Sequence, residues 1–301
     1  MKSYALIVNP MSGRGRALHK AEALREGLAP SSSVEILRTT HRGAASDLAA
    51  HCVGRVDRVV AVGGDGTLNE VVSGLMSAER GGGRLPELGF LSAGTANAAV
   101  KAFGLTSDPV VMARVLPTVE SRSLDVGLVR HDGGERAFLL WFGAGWDAVV
   151  IHTLNATRSG FMGVSGIFGH VPALLRAVSA YGQPPITAVV DGQSFGEHST
   201  VVVANVGVAG FGGTIAEGVD PGDGRFDVVG VPLVSAFGSM RLAFQMMTSS
   251  LTRSQRVRHG PGVEVTLHAE RTVPFHLDGE AVGALPVTVR LLPGAVRLLA
   301  T

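Results

Sequence analysis

The chain has 301 residues, 46% hydrophobic and 17% charged, with a formal net charge of +1. That length favours two domains, the composition supports a packed core rather than disorder, and the charge balance argues against nucleic acid as a partner. The single cysteine, Cys52, excludes an internal disulfide and a cysteine-based zinc site. No apolar run reaches the ~18 residues of a membrane span. Asn9-Pro10 breaks the N-terminal "MKSYALIVNP" too early for a signal peptide, so the expected place is the cytoplasm, soluble or peripheral at a membrane.

In chain order, "YALIVN" at 4–9 reads as a buried strand and 14–29 as a helix. "VEILRT" at 34–39, "RVVAV" at 58–62 and "ELGFLS" at 87–92 read as further strands, each followed by a helical pattern, at 44–52, 67–76 and 96–103. Such alternation implies a parallel sheet with right-handed crossovers. "RGGGR" at 80–84 reads as a connector. After Ser121 the rhythm changes. Asp-Gly pairs at 132–133, 191–192, 223–224 and 278–279 fall mostly between β-rich runs, such as "GLVR" before "RAFLLWF" and "ITAVV" before "STVVVANV". These are hairpin signals, so the second part is expected to be mainly antiparallel, with helical patterns near 164–181 and 235–251. The expected domains are 1–122 and 123–301, with the last strand free to return to the first.

"VGGDGTLNEVV" at 62–72 concentrates glycines where a strand meets a helix. Ligands in parallel sheets bind beyond the carboxyl ends of strands, and a helix N-terminus there offers N–H groups to anions. Gly63, Gly64 and Gly66 would let backbone approach phosphate, and Thr67 would cap and donate. A carboxylate at Asp65 suits a metal or an attacking hydroxyl's proton. The plainer alternative is a tight turn capped by Asp65 or Thr67. "LSAGTANAAV" at 91–100 repeats the pattern, with Gly94 and Thr95 before a helix and Asn97 facing the site, and "MSGRGRA" at 11–17 adds glycines and arginines at the same sheet end. No Walker A loop, Rossmann fingerprint or serine-hydrolase elbow is present.

"NPMSGRG", "GGDGTLNEV", "GTAN", "LDVG", "GAGWDA", "DPGDGRFDV" and "HLDGE" occur in that order. Together they resemble the diacylglycerol kinase catalytic-domain family, which includes bacterial lipid kinases and sphingosine and ceramide kinases. The resemblance implies an α/β fold: an N-terminal parallel nucleotide-binding domain, a second, mainly antiparallel β-sandwich domain, and ATP in the cleft between. By resemblance Asn9, Thr40, Gly63, Gly64, Asp65, Gly66, Thr67, Leu68, Asn69, Gly94, Thr95 and Asn97 serve the nucleotide. Glu280 would be the general base, with Asp65 its rival. Asp125 would support catalytic Mg2+ through water, and Asp220, Asp223 and the backbone of Arg225 would hold a structural Mg2+. The sequence departs from the family at Ser92, often Pro, at Ala98, usually Asp, and at Trp146, usually Phe.

The expected activity is ATP- and Mg2+-dependent phosphorylation of a lipid hydroxyl such as that of diacylglycerol, at a membrane surface. The alternatives are a soluble-substrate kinase of the NAD-kinase kind and a non-catalytic nucleotide sensor. A homodimer stays open. So does the stripe Val164, Ile167, Phe168, Val171, Leu174, Leu175 and Val178, as core or as a lipid-facing surface.

Overall fold

The computed structural model describes residues 1–79, 82–94, 98–156, 176–177, 180–208, 213–233 and 251–300. The chain forms two compact units, Met1–Val126 with Pro293–Thr301, and Gly127–Leu292.

The first unit is built on parallel strands β1 (Lys2–Val8), β2 (Ser32–Arg38), β3 (Arg58–Gly63) and β4 (Glu87–Ser92), in the order β2-β1-β3-β4. β3 is buried along its whole length and β4 everywhere but its first residue, which is why both read as continuous apolar runs. The crossover helices are α1 (Arg16–Leu28), α2 (Ala44–Cys52) and α3 (Asp65–Glu79), followed by α4 (Ala98–Phe103) and α5 (Pro109–Val115). Ala17, Ala21, Leu24 and Leu28 of α1 recur at spacings of three and four and pack on Tyr4, Leu6 and Val8. At the sheet's amino end Arg58 is buried, bonds Glu87, the Leu116 and Val119 carbonyls and the Tyr4 hydroxyl, and is structural.

The second unit is a sandwich. One layer contains β8 (Ile186–Val190) between β9 (Gln193–His198) and β13 (Glu264–His268), β13 in turn pairing with residues 287–290 of β16 (Val287–Leu299). A hairpin of β5 (Ser121–His131) and β6 (Gly134–Phe138) turns at Asp132-Gly133. The other layer runs β12 (Arg258–Gly262), β11 (Phe226–Val231), β10 (Thr200–Ala204), β7 (Trp141–Gly145), β14 (Pro274–Leu277), β15 (Glu280–Ala284), each pair antiparallel. Phe138, Ile186 and Val265 from the first layer meet Phe142, Phe226 and Phe275 from the second. Helix α6 (Trp146–Ala156) follows β7.

Three expectations change. "RAFLLWF" is not one strand: it bends at Leu139-Leu140 and supplies β6 to one strand pair and β7 to the other layer. Asp191-Gly192 turns into Gln193–His198, not into "STVVVANV", whose strand β10 belongs to the opposite layer. Asp223-Gly224 sits in a turn just before β11, at the end of the long connection from its antiparallel partner β10 rather than in a two-residue hairpin turn. The expected helix at 235–251 lies outside the described residues but for Leu251, which starts a short 3-10 turn. Of the stripe at 164–181, Val164, Ile167, Phe168, Val171, Leu174, Leu175 and Val178 all lie outside them.

Candidate active site

Three glycine-bearing junctions gather at the carboxyl ends of β1, β3 and β4. After β1, the Asn9 N–H donates to Val62 O at 3.0 Å, while its side-chain oxygen accepts from Met11 N and its amide reaches Thr67 Oγ1 at 3.5 Å. Gly13 follows at φ 62°, and a Cβ there would lie 2.2 Å from Ala93 O. The first loop therefore lies directly against the junction after β4. That junction is held to β3, since the Gly63 carbonyl accepts from both Ala93 N (2.7 Å) and Gly94 N (3.1 Å). The Gly64 carbonyl accepts from Thr67 N and Leu68 N and so starts α3. Among the described residues, a Cβ at Gly64 would meet only Gly94 Cα, at 3.9 Å, so they leave the space beside it open.

Asp65 opens α3, and its carboxylate reaches across to α4. Oδ2 accepts from Ala98 N and Oδ1 from Ala99 N, both at 3.1 Å. Burial raises its proton affinity, and the two N–H bonds partly offset that. The two N–H groups come from Ala98 and Ala99, and Ala98 stands where the resemblance places an Asp. Arg122 holds the other end of α4, donating to Phe103 O at 3.0 Å. Leu68 and Asn69 are buried in α3, Thr40 is exposed beside His41, and Gly66 lies in the first helical turn. Thr95 and Asn97 lie outside the described residues.

Two residues of this unit carry roles the sequence did not disclose. Lys20 Nζ donates to Ser92 O (2.6 Å) and Ser107 O (2.7 Å), fixing the end of β4, and burial lowers its proton affinity. Lysine is rare in the chain, at Lys2, Lys20 and Lys101, and that is the one sequence signal it offers. Glu70 accepts from Gly43 N and Ala45 N, capping α2 from the neighbouring helix. Asp125 is buried and accepts from Gly294 N at 2.7 Å, tying the returning end of the chain to the unit.

In the sandwich, Asp278-Gly279 forms a two-residue turn with φ 50° and 83°, and Glu280 starts the next strand. Asp278 accepts three backbone N–H groups, from Leu139, Leu140 and Trp141, at 2.8–3.0 Å. It is a clamp on the bend before β7. Glu280, about a third exposed, pairs with Arg136 at 3.3 Å. Beside the turn, His276 pairs with Asp147 at 3.3 Å.

The residues expected to hold a structural cation fit one poorly as placed. Asp220 Oδ1 accepts from Gly222 N, while both oxygens of Asp223 are taken, by Arg225 N and by the Arg225 guanidinium. Among the described residues no cluster of three carboxylate, histidine or cysteine side chains could hold a metal. The strand-end junctions are compatible with a phosphate: among the described residues Gly64 leaves open space flanked by the start of α3.

A parallel α/β unit with glycine-bearing junctions at its strand ends is thus followed in the chain by a β-sandwich. The chain belongs to the diacylglycerol kinase catalytic-domain family. Residues 3–129 match the model described as diacylglycerol kinase catalytic domain, and residues 141–300 match the YegS C-terminal NAD kinase beta sandwich-like domain. A diacylglycerol kinase of Mycobacterium tuberculosis (strain ATCC 25618 / H37Rv) is 26% identical, over 97% of this chain and 93% of its own. A diacylglycerol kinase of Bacillus subtilis (strain 168) is 25% identical, over 95% and 92%. A crystal structure of a diacylglycerol kinase from Bacillus anthracis str. Sterne shares the fold, with a TM-score of 0.74 at 20% identity, covering 100% of this chain and 97% of that one.

Proposed function

We propose that this chain is an ATP- and Mg2+-dependent lipid kinase that moves the γ-phosphoryl group to a lipid hydroxyl such as that of diacylglycerol. One observation carries the reading: the space that the described residues leave at Gly64, among three strand-end junctions that hold one another in place. The names of the two relatives support diacylglycerol as acceptor. Asn9, Thr40, the 63–69 loop and Gly94, Thr95 and Asn97 hold the nucleotide. Mg2+, when bound, neutralises phosphate charge, and phosphate and water oxygens supply most of its ligands.

The hydroxyl oxygen forms the new P–O bond as the γ-phosphoryl group leaves ADP, and the hydroxyl proton passes to a carboxylate. Glu280 suits that role better than Asp65. Both Asp65 oxygens already accept helix N–H groups, which makes it an organiser of the loop and of α4, whereas Glu280 is partly exposed. The lipid is met at a membrane surface by a peripheral chain. No helix among the described residues is long and apolar enough to cross a bilayer.

Labelled ATP incubated with diacylglycerol, monoacylglycerol, sphingosine, ceramide, phosphatidylglycerol and NAD in detergent micelles tests the reading. Label in NAD alone would make this a soluble-substrate kinase, and label in none a sensor. Glu280→Gln should keep ATP binding and slow transfer by about 10²–10⁴-fold. Near-parent turnover in Glu280→Gln, with none in Asp65→Asn, would move the base to Asp65.

A further inference from the structure

We propose that His276, oriented by Asp147, is a positioning residue that selects the conformation of the Asp278-Gly279 turn and thereby places Glu280. The inference rests on the reading of Glu280 as the base.

A two-residue turn of this kind has two related forms that differ by a flip of its central peptide, the one between Asp278 and Gly279. Both residues here are left-handed, which defines one of the two. His276 Nδ1 lies 3.4 Å from the N–H of that peptide, at Gly279. A ring nitrogen that accepts an N–H carries no proton, so the proton sits on Nε2 and points at Asp147 Oδ2, 3.3 Å away. The Asp278 carboxylate, for its part, clamps the bend at 139–141.

The pair is built into the fold. His276 is 1% exposed, with the Trp141 ring edge-on to it. Asp147 is fixed in the first turn of α6, where Oδ1 accepts from Ala148 N. Helix α6 is pinned to β14 a second time, by His152 Nε2 donating to Phe275 O at 3.2 Å. Gly143 of β7 lies beneath: a Cβ there would stand 2.1 Å from Asp147 Oδ2 and 2.4 Å from His276 Nε2. Any side chain at 143 would separate the two groups, so this part of the strand is shaped around their contact.

Nitrogen-15 spectra of the imidazole in the full chain should show the Nε2–H form, and Asp147→Asn should shift the proton to Nδ1, because an amide can donate to Nε2. The Nδ1–H form in the parent would overturn the proposal. His276→Phe removes the acceptor, whereas His276→Asn sets an amide oxygen near the place of Nδ1. With diacylglycerol micelles and labelled ATP, His276→Phe is expected to slow transfer about 10- to 100-fold at unchanged KM for ATP, and His276→Asn to recover most of it. Equal impairment in both would reduce His276 to packing. Gly279 amide exchange separates this from the base assignment. If Glu280→Gln proves active, the base reading falls, yet exchange at Gly279 should still be faster in His276→Phe than in His276→Asn. Unchanged exchange overturns the positioning role. Should His276→Phe not fold, the tautomer in Asp147→Asn decides.

Discussion

Gly63 and Gly64 are adjacent but are required for opposite reasons. At Gly63 a Cβ would stand 2.4 Å from Thr67 Oγ1, so any side chain displaces the first turn of α3. At Gly64 the described residues leave room, and neither glycine has a left-handed φ. On the proposed kinase reading, what excludes a side chain at Gly64 is the phosphate. Gly64→Val is therefore expected to melt like the parent and to lose ATP binding in titration calorimetry, and parent-like affinity in a folded variant would end the cradle reading. Asp65 gives a pH signature. Its folded proton affinity is raised, so the folded state holds the proton to higher pH than the unfolded one. Its contribution to stability is then complete below the ordinary carboxylate value and is lost as pH rises through the folded value. Asp65→Asn lacks this loss. The melting temperature of the variant relative to the parent should climb as pH rises from about 4. A constant difference would mean that Asp65 ionises as freely in the fold as outside it.

At the scale of elements, the β8–β9 hairpin carries the opposite pH dependence. His198 ends β9 buried, with Nε2 donating to Phe195 O, and Gly230 of β11 leaves space for its ring. Burial lowers its proton affinity, as it does for His131 at the β5–β6 turn. Both contribute stability that is complete above the ordinary imidazole value of 6.5 and is lost as pH falls through their folded values. Calorimetry from neutral pH down to about 5 should show the sandwich weakening, and His198→Gln should weaken less. An equal slope in both would place the loss elsewhere. The same hairpin shows what was legible. β3 and β4 could be read from the sequence because strands buried on both faces appear as unbroken apolar runs. β9, "QSFGEH", could not, because its buried positions are one phenylalanine and one histidine. The break in "RAFLLWF" was illegible too, since Leu139 and Leu140 are as buried as their neighbours and the bend is fixed by a carboxylate from the far end of the chain, Asp278. At the site, residue types at strand ends were readable, whereas the partners of Asp65, Lys20 and Glu70 depend on contacts between elements that no local pattern encodes.

At the scale of the molecule, the first unit is made from both ends of the chain, so its stability depends on residues that follow the whole sandwich in sequence. The last stretch of β16 pairs with β4 at Leu298 and Leu88 and buries Val296, Leu298 and Leu299. Leu299 joins the cluster of Tyr4, Leu6, Leu24 and Leu28. Gly294 supplies the N–H for buried Asp125, and Arg297 bonds Ser121, which in turn donates to Glu87. Three fully buried aliphatic side chains are worth about 5–9 kcal/mol together. That is comparable with the roughly 5–15 kcal/mol that stabilises a whole domain. A chain ending at Leu292 also leaves one edge of β4 without that partner. It is therefore expected to lose ATP binding altogether and to yield, on limited proteolysis, a resistant fragment within Gly127–Leu292 with the first unit digested. The sandwich keeps its own core, because Phe138, Phe142, Phe226 and Phe275 all lie within that span. If the shortened chain bound ATP with parent affinity, the first unit would be self-sufficient through Val126, and the return of the chain would serve the sandwich alone.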